Sequence, residues 1–318
     1  MLRLPPLPTI AELIKLYGLS AKQQLSQNFL LDLNITDKIS KGTGHLKGLS
    51  VLEIGPGPGS LTRSILRHNP RAVAVVEKDY RFLSSLRTIQ SALPDRKLSI
   101  FLDDVLKVDE KAIFDEIGAE KTPWEAKYNP NRIIGNLPFG VATALLIKWV
   151  RNCSTKKGPY YYGRIPMVLL FQKEVAMRIT AKPKTKEYGR LSIMVQNWFK
   201  AKCLFDIDGS SFVPQPKVKA TAVYIEPLEK PIVEVNVDTM EYLCRQLFGM
   251  RRKLISNSAK ALEGIAVDEF LKANRFISEL RAEELSVEKW GELALAYEQW
   301  KEANPFPCTE KDQKKLVL

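Results

Sequence analysis

From Leu49 onward the chain alternates short, nearly unbroken apolar runs with stretches of helical spacing. The runs are Ser50-Val51-Leu52-Glu53-Ile54, Ala72-Val73-Ala74-Val75-Val76, Leu98-Ser99-Ile100-Phe101, Arg132-Ile133-Ile134 and Met167-Val168-Leu169-Leu170. A helix is predicted after Gly59 and another across Phe82 to Ile89. Strands apolar on both faces must be covered on both, and strands separated by helices return parallel, so the pattern predicts a doubly wound α/β sheet. One more strand is predicted at Ala220 to Ile225, within a β-like stretch that starts near Phe212, after which Pro227 and Pro231 mark a boundary. From Val237 to about Ala303 the spacing is helical, as in Met240-Leu243-Leu247 and Trp290-Leu293-Leu295-Tyr297, which predicts a small C-terminal helical domain.

At the front, Leu4-Pro5-Pro6-Leu7-Pro8 is held extended by its prolines, and Thr9 is placed to cap a helix through Ile10, Leu13, Ile14 and Leu16 that ends near Gly18. The expected division is an N-terminal extension at 1–22, the α/β domain at 23–230, the helical domain at 231–303 and a charged tail at 304–318. No internal repeat is visible.

Composition narrows the classes. A net charge of +12 and a pI near 9.4 favour a polyanionic partner, nucleic acid or an anionic membrane. The longest apolar stretches, such as that from Arg164 to Phe171, fall far short of the roughly 20 residues of a spanning helix, so a soluble protein without a membrane partner is expected. Cys153, Cys203, Cys244 and Cys308 form no C-x-x-C pair, which points away from a disulfide framework or zinc site and toward a reducing compartment. His45 and His68 are the only histidines, and neither has a partner at ligand spacing. Metalloenzymes and Ser-His-Asp hydrolases, which need imidazole at their centre, are therefore disfavoured, and no metal is expected.

Candidate chemistry begins at Gly55-Pro56-Gly57-Pro58-Gly59, directly after the strand ending at Ile54. Glycines at a strand-to-helix turn let the backbone pass close to a ligand. Glu77 follows the next strand, 22 residues past Gly55, where a carboxylate can accept hydrogen bonds from both hydroxyls of a ribose. Asp104, beside Asp103, follows the strand after that and could accept from a cofactor's adenine amine. An NAD-type dinucleotide fits imperfectly: Ser60 stands where G-x-G-x-x-G needs its last small residue, and two prolines fill the turn.

The stretch Ile134-Gly135-Asn136-Leu137-Pro138-Phe139 also follows a buried strand and shares that carboxyl edge. The exocyclic nitrogen of adenine is a weak nucleophile, because its lone pair is drawn into the ring. Acceptors on its two hydrogens, here the Asn136 side-chain oxygen and the Pro138 carbonyl, help to localise that pair. Phe139 can stack on an extruded base.

On these residues the chain resembles the rRNA adenine dimethyltransferases. The shared motifs are Ser26-Gln27-Asn28-Phe29-Leu30-Leu31-Asp32, Glu53-Ile54-Gly55-Pro56-Gly57-Pro58-Gly59, Val76-Glu77-Lys78-Asp79, Asp104-Val105-Leu106, Gly135-Asn136-Leu137-Pro138-Phe139 and Phe212-Val213-Pro214-Gln215-Pro216-Lys217-Val218, in the family's order over roughly residues 23 to 262. The resemblance implies a Rossmann-like S-adenosylmethionine methyltransferase sheet with a helical C-terminal domain, and two methylations on each of two adjacent adenosines in the terminal hairpin of small-subunit rRNA. It places Gln27, Asn28 and Leu30 in a segment closing over S-adenosylmethionine, Gly55 and Gly57 at the methionine side, Glu77 and Lys78 at the ribose, and Asp104 and Val105 at the adenine. Asn136, shared with the cofactor, would face the target base with Leu137, Pro138 and Phe139, and Phe212 would lie on the base's other face.

The start Leu2 to Ile10, Leu25 to Asn28 and Phe171 to Ala176 look most like the family's mitochondrial branch, which implies the mitochondrial matrix, and leaves mitochondrial DNA or RNA polymerase open as further partners beside rRNA or the pre-ribosomal small subunit. After Phe139 the family usually continues Asn-x-Ser-Thr-Pro, where this chain has Gly140-Val141-Ala142-Thr143-Ala144. Loss of the proline and hydroxyl there implies a less rigid target loop, and keeps open the alternative of a weakly active or inactive ribosome-assembly or transcription factor. Basic clusters at Lys156-Lys157, Lys182 to Lys186 and Arg251-Arg252-Lys253 are candidate phosphate contacts, the last foremost because it matches the family's helical-domain motif. A monomer is expected.

Overall fold

The computed structural model describes residues 4–7, 28–94, 97–263, 265–274 and 278–303. The helix expected from Thr9, the candidate Gln27 and the 304–318 tail lie outside them. Two compact units form: Met1–Thr180 with Trp198–Glu229, and Ala181–Asn197 with Lys230–Leu318.

The first unit carries nine strands among the described residues: β1 (Phe29–Leu30), β2 (Ser50–Ile54), β3 (Ala72–Glu77), β4 (Leu98–Leu102), β5 (Asn131–Gly135), β6 (Met167–Gln172), β7 (Phe199–Ile207), β8 (Phe212–Val213) and β9 (Ala220–Pro227). Its helices are α1 (Leu33–Ser40), α2 (Ser60–Arg67), α3 (Leu83–Ser91), α4 (Glu110–Glu116), α5 (Phe139–Ser154) and α6 (Lys173–Thr180). The main sheet runs β4-β3-β2-β5-β6-β9-β7, and β1 pairs with β8 as a separate antiparallel ribbon. β2 to β6 are parallel, whereas β9 runs antiparallel to β6 and β7 antiparallel to β9. The sheet is thus mixed rather than wholly parallel. β7 and β9 are joined without a crossover helix, and such a connection returns the chain antiparallel.

Every residue of β2, β3 and β5 is buried, as their unbroken apolar runs require. β7 was not expected from the sequence. It is an edge strand in which Phe199 is buried and Lys200 exposed, and its alternation is broken by an irregularity between Cys203 and Phe205. α5 was also not expected beyond the Pro-Phe turn. Its buried positions Ala142, Leu145, Leu146, Trp149, Val150 and Cys153 recur at helical spacing and cover one face of the sheet. Leu145, Leu146 and Val150 each contribute about 1.5–3 kcal/mol by leaving water.

The second unit holds α7 (Arg190–Gln196), α8 (Val237–Phe248), α9 (Ile255–Ser258), α10 (Val267–Ala273) and α11 (Val287–Ala303). The expected boundary near 230 put 181–197 with the sheet, but this segment is captured by the helical unit. The Asn197 side chain exchanges two 3.0 Å hydrogen bonds with the backbone of Val233, and the Tyr188 hydroxyl donates to Leu285 O at 2.9 Å. Phe248 and Trp290 stack at 5.4 Å in the core of this unit.

Candidate active site

The strand order reverses at β2, whose neighbours are β3 on one side and β5 on the other. In open α/β sheets ligands bind outside the carboxyl ends of the strands at such a point. Register fixes what stands there: Ile54 lies opposite both Val76 and Gly135, and Glu77 lies opposite Leu102. Gly55, Glu77, Asp103 and Asn136 therefore leave the sheet side by side, though they are widely separated in sequence.

The glycine turn is built by backbone geometry that side chains would forbid. Gly55, Gly57 and Gly59 all have positive φ, and a Cβ on Gly55 would sit 3.0 Å from the Asn136 carbonyl oxygen. The turn is braced from behind by Arg63 of α2, whose guanidinium donates to Pro58 O at 3.1 Å and Gly59 O at 3.0 Å, and by the Ser85 hydroxyl, which donates to Pro58 O at 2.9 Å. Phe29 of β1 lies over it, 3.1 Å from where a Gly57 Cβ would be, and meets Phe82 edge-on at 5.1 Å. Leu30, beside it, is buried and pairs with Phe212.

Glu77 is buried, and its carboxylate accepts from Gly57 N at 2.9 Å and Asp79 N at 2.8 Å. Burial pushes its pKa up, and these backbone donors oppose the shift. Lys78 reaches across to Asp104 at 2.8 Å, and this contact together with the Leu106 backbone N–H holds the Asp104 carboxyl below its usual range. Val105 is buried behind that loop. Lys148 of α5 anchors the loop further by donating to Val105 O at 3.0 Å, Val108 O at 2.9 Å and the buried Glu110 at 2.8 Å.

Beneath the turn lies a group that sequence reading passed over. Glu53 of β2 is completely buried, and neither carboxyl oxygen makes a well-formed hydrogen bond among the described residues; the side chain and backbone N–H of Thr62 face it only at weak geometry, and the Ser60 hydroxyl also lacks a well-formed partner. Burial raises the Glu53 pKa to about 8, with Glu77 adding to the rise and Thr62 and Arg63 opposing it.

On the β5 side, Asn136 donates its amide to Asn28 O at 3.3 Å, and its Oδ1 has no partner among the described residues. Leu137 is buried. Pro138 is the N-cap of α5, and its carbonyl accepts from Val141 N at 2.9 Å and Ala142 N at 3.3 Å. Phe139 opens α5 and lines a cavity of about 400 Å3 together with Asn28, Gly140, Gln172, Pro216, Lys217 and Val218. Gln172, Lys217 and Val218 belong to stretches that carried the family resemblance, yet no role was assigned to them from sequence.

Three expectations are relocated by the structure. Phe212 is only 2% exposed and belongs to the apolar cluster with Phe29 and Leu30, because pairing of β8 with β1 turns its ring into the core rather than into the cavity. Arg251 is engaged at home, with Nε 2.5 Å from Glu283 and a terminal nitrogen donating to the carbonyls of Thr185 and Lys186, which leaves Arg252 and Lys253 as the exposed cations of that cluster. Lys156 and Lys157 follow the far end of α5, about 24 Å from Phe139 at 1.5 Å per residue, and so stand at the opposite edge of the sheet.

The residues present fit a nucleoside cofactor: an open glycine turn that a Cβ would obstruct, with carboxylates at the ends of the two next strands. This sheet and site define a Rossmann-like, S-adenosylmethionine-dependent methyltransferase. The same fold occurs in the crystal structure of a dimethyladenosine transferase from Plasmodium falciparum (TM-score 0.65, 23% identity, 85% of this chain and 98% of that one). It occurs again in the 23S rRNA methyltransferase ErmE (TM-score 0.56, 24% identity, 86% and 100%). Residues 18–299 match the family described as ribosomal RNA adenine dimethylase, and the chain belongs to that family. Among its relatives are the proteins named dimethyladenosine transferase 1, mitochondrial, of Vermamoeba vermiformis (47% identity, 94% of this chain and 96% of the relative) and of Homo sapiens (42%, 95% and 88%). The chain is thus an rRNA adenine N6,N6-dimethyltransferase using S-adenosylmethionine.

Proposed function

We propose that this enzyme dimethylates two adjacent adenosines in the terminal hairpin of mitochondrial small-subunit rRNA, in the mitochondrial matrix. The mitochondrial relatives and the family support the address and the substrate. The observation that carries the chemistry is the register of β2 against β5, which brings the Gly55 turn and Asn136 into contact.

In this reading Gly55 and Gly57 admit the methionine end of the cofactor, Glu77 and Lys78 its ribose, and Asp104 and Val105 its adenine. When bound, S-adenosylmethionine supplies a methyl group already activated by its positive sulfur. The protein's task is then alignment and electrostatic fit rather than strong base catalysis. Asn136 Oδ1, free to accept, takes a hydrogen bond from one N–H of the target amine, and the Pro138 carbonyl takes one from the other in exchange for one of its two α5 donors, Val141 N or Ala142 N. Phe139 holds the base by stacking, and the excess proton passes to solvent after transfer.

The test is radiolabelled methyl transfer to a small-subunit rRNA hairpin. The wild-type chain should label two neighbouring adenosines and Asn136→Ala neither. Equal labelling by both proteins would refute the site.

A further inference from the structure

Lys217 lines the cavity beside Phe139, and Lys173 and Lys219 directly follow the lining residues Gln172 and Val218, but the three are not equivalent. Lys173 is paired with Asp206 at 2.6 Å, and Lys219 with Asp208 at 2.7 Å. Lys217, on the cavity wall, is exposed and has no ion pair or hydrogen bond among the described residues. It sits in the turn between β8 and β9, directly after Pro216, which also lines the cavity.

A cavity of about 400 Å3 is large enough for a nucleobase with its sugar. A base drawn into it from an RNA strand brings its flanking phosphates to the mouth, since they are attached through that sugar. Each carries a full negative charge at neutral pH. An unpaired ammonium at the rim is the complementary group, whereas Lys173 and Lys219 are already neutralised.

We propose that Lys217 anchors the backbone phosphate adjoining the adenosine that occupies the cavity, and so positions the substrate strand. This rests on reading the cavity as the target-base site. A phosphate contact releases counterions, so its loss flattens the salt dependence of RNA binding by about 0.7–0.9 in the slope of log affinity against log salt. It carries no sequence information.

The experiment measures methyl transfer to the rRNA hairpin between about 50 and 200 mM salt, the range over which phosphate contacts are read. For Lys217→Met we expect the KM for RNA to rise about 5- to 10-fold at low salt, a salt slope shallower by nearly one, and an effect confined to RNA rather than to cofactor affinity. Lys217→Arg should restore both values. The paired-lysine controls Lys173→Met and Lys219→Met should keep the wild-type slope. An unchanged slope in Lys217→Met, or the same loss in the Lys219 control, overturns the assignment. Phe139→Ala, on the cavity wall, separates the two readings: if it abolishes transfer while Lys217→Met behaves as wild type, the cavity stands and the anchor falls; if Phe139→Ala stays fully active, the cavity reading itself fails.

Discussion

Replacing Glu53 by glutamine removes a titrating group while keeping its shape, and the structure sets the expected pH dependence. Glu53 is fully buried without a well-formed hydrogen bond, and desolvation, only partly opposed by weakly placed Thr62, raises its pKa from 4.5 to about 8. A carboxyl raised in the folded state binds its proton more tightly there than in the unfolded chain. It is neutral in both states below pH 4.5 and costs nothing; between 4.5 and 8 the unfolded state alone ionises, and the folded state loses ground by 1.36 kcal/mol per pH unit. The cost is under about 1 kcal/mol at pH 5, about 3 at pH 7 and about 4 at pH 8, levelling off above that. Glutamine shares the poor hydrogen bonding but not the titration. The stability of Glu53→Gln relative to wild type should therefore improve by about 2–3 kcal/mol from pH 5 to pH 7, or about 5–10 °C in melting temperature for a unit of this size. Thermal melts of both proteins across pH 5 to 8 decide it. A difference that stays flat over that range would show that Glu53 is solvated or paired, and the buried neutral acid beneath the glycine turn would have to be abandoned.

Two further substitutions probe the supports of the site and of the helical unit. Lys148→Met removes the cation paired with Glu110, 1% exposed in its side chain, leaving it the Trp149 indole N–H, and frees the carbonyls of Val105 and Val108, so stability should fall by about 3 kcal/mol and cofactor affinity by several-fold; isothermal titration with S-adenosylhomocysteine measures the second, and wild-type affinity would refute the anchoring role. Gly291 lies inside α11, where alanine would ordinarily stabilise by about 0.5–1 kcal/mol, but its Cβ would lie 2.3 Å from that of Val233. Gly291→Ala should instead lower the melting temperature, and Val233→Gly in the same chain, which removes the opposing Cβ, should recover part of the loss; a stabilised single variant would refute the contact.

The parts of the fold that could be read from sequence are those where one residue type settles the environment. β2, β3 and β5 are apolar on both faces and buried on both, so their runs revealed them and the row of candidates at their ends. β7 escaped because Cys203 to Phe205 breaks its alternation, and α5 because Pro138-Phe139, a turn signal, is here the cap of a helix. Side-chain partners were beyond reach for a different reason. A run such as Arg251-Arg252-Lys253 looks uniform, and only tertiary structure shows that Glu283 and two carbonyls have taken the first of the three. Likewise an aromatic such as Phe212 announces burial or stacking equally well, and the pairing of β8 with β1 chose burial.

The departure at Gly140 to Ala144 shows how a lost motif can be replaced by a different physical device. A proline at 144 has no N–H to give and would clash one turn back, so a helix could not run smoothly through it from Phe139. With Ala144 in its place, α5 begins at Phe139 itself, and Val141 and Ala142 close the first turn onto Pro138. The stiffness expected from the family's proline is then supplied by a helix whose buried face, from Ala142 to Cys153, is packed into the core. Gly140 adds no constraint of its own, since a Cβ there would meet nothing within 4 Å. The same helix carries Lys148, which grips the Asp104 loop, so the aromatic proposed to hold the target base and the loop proposed to hold the cofactor's adenine are fixed to one rigid element. A chain that loses the family's loop sequence can in this way keep the distance between its two substrates, and it is that distance, rather than the loop's identity, on which methyl transfer depends.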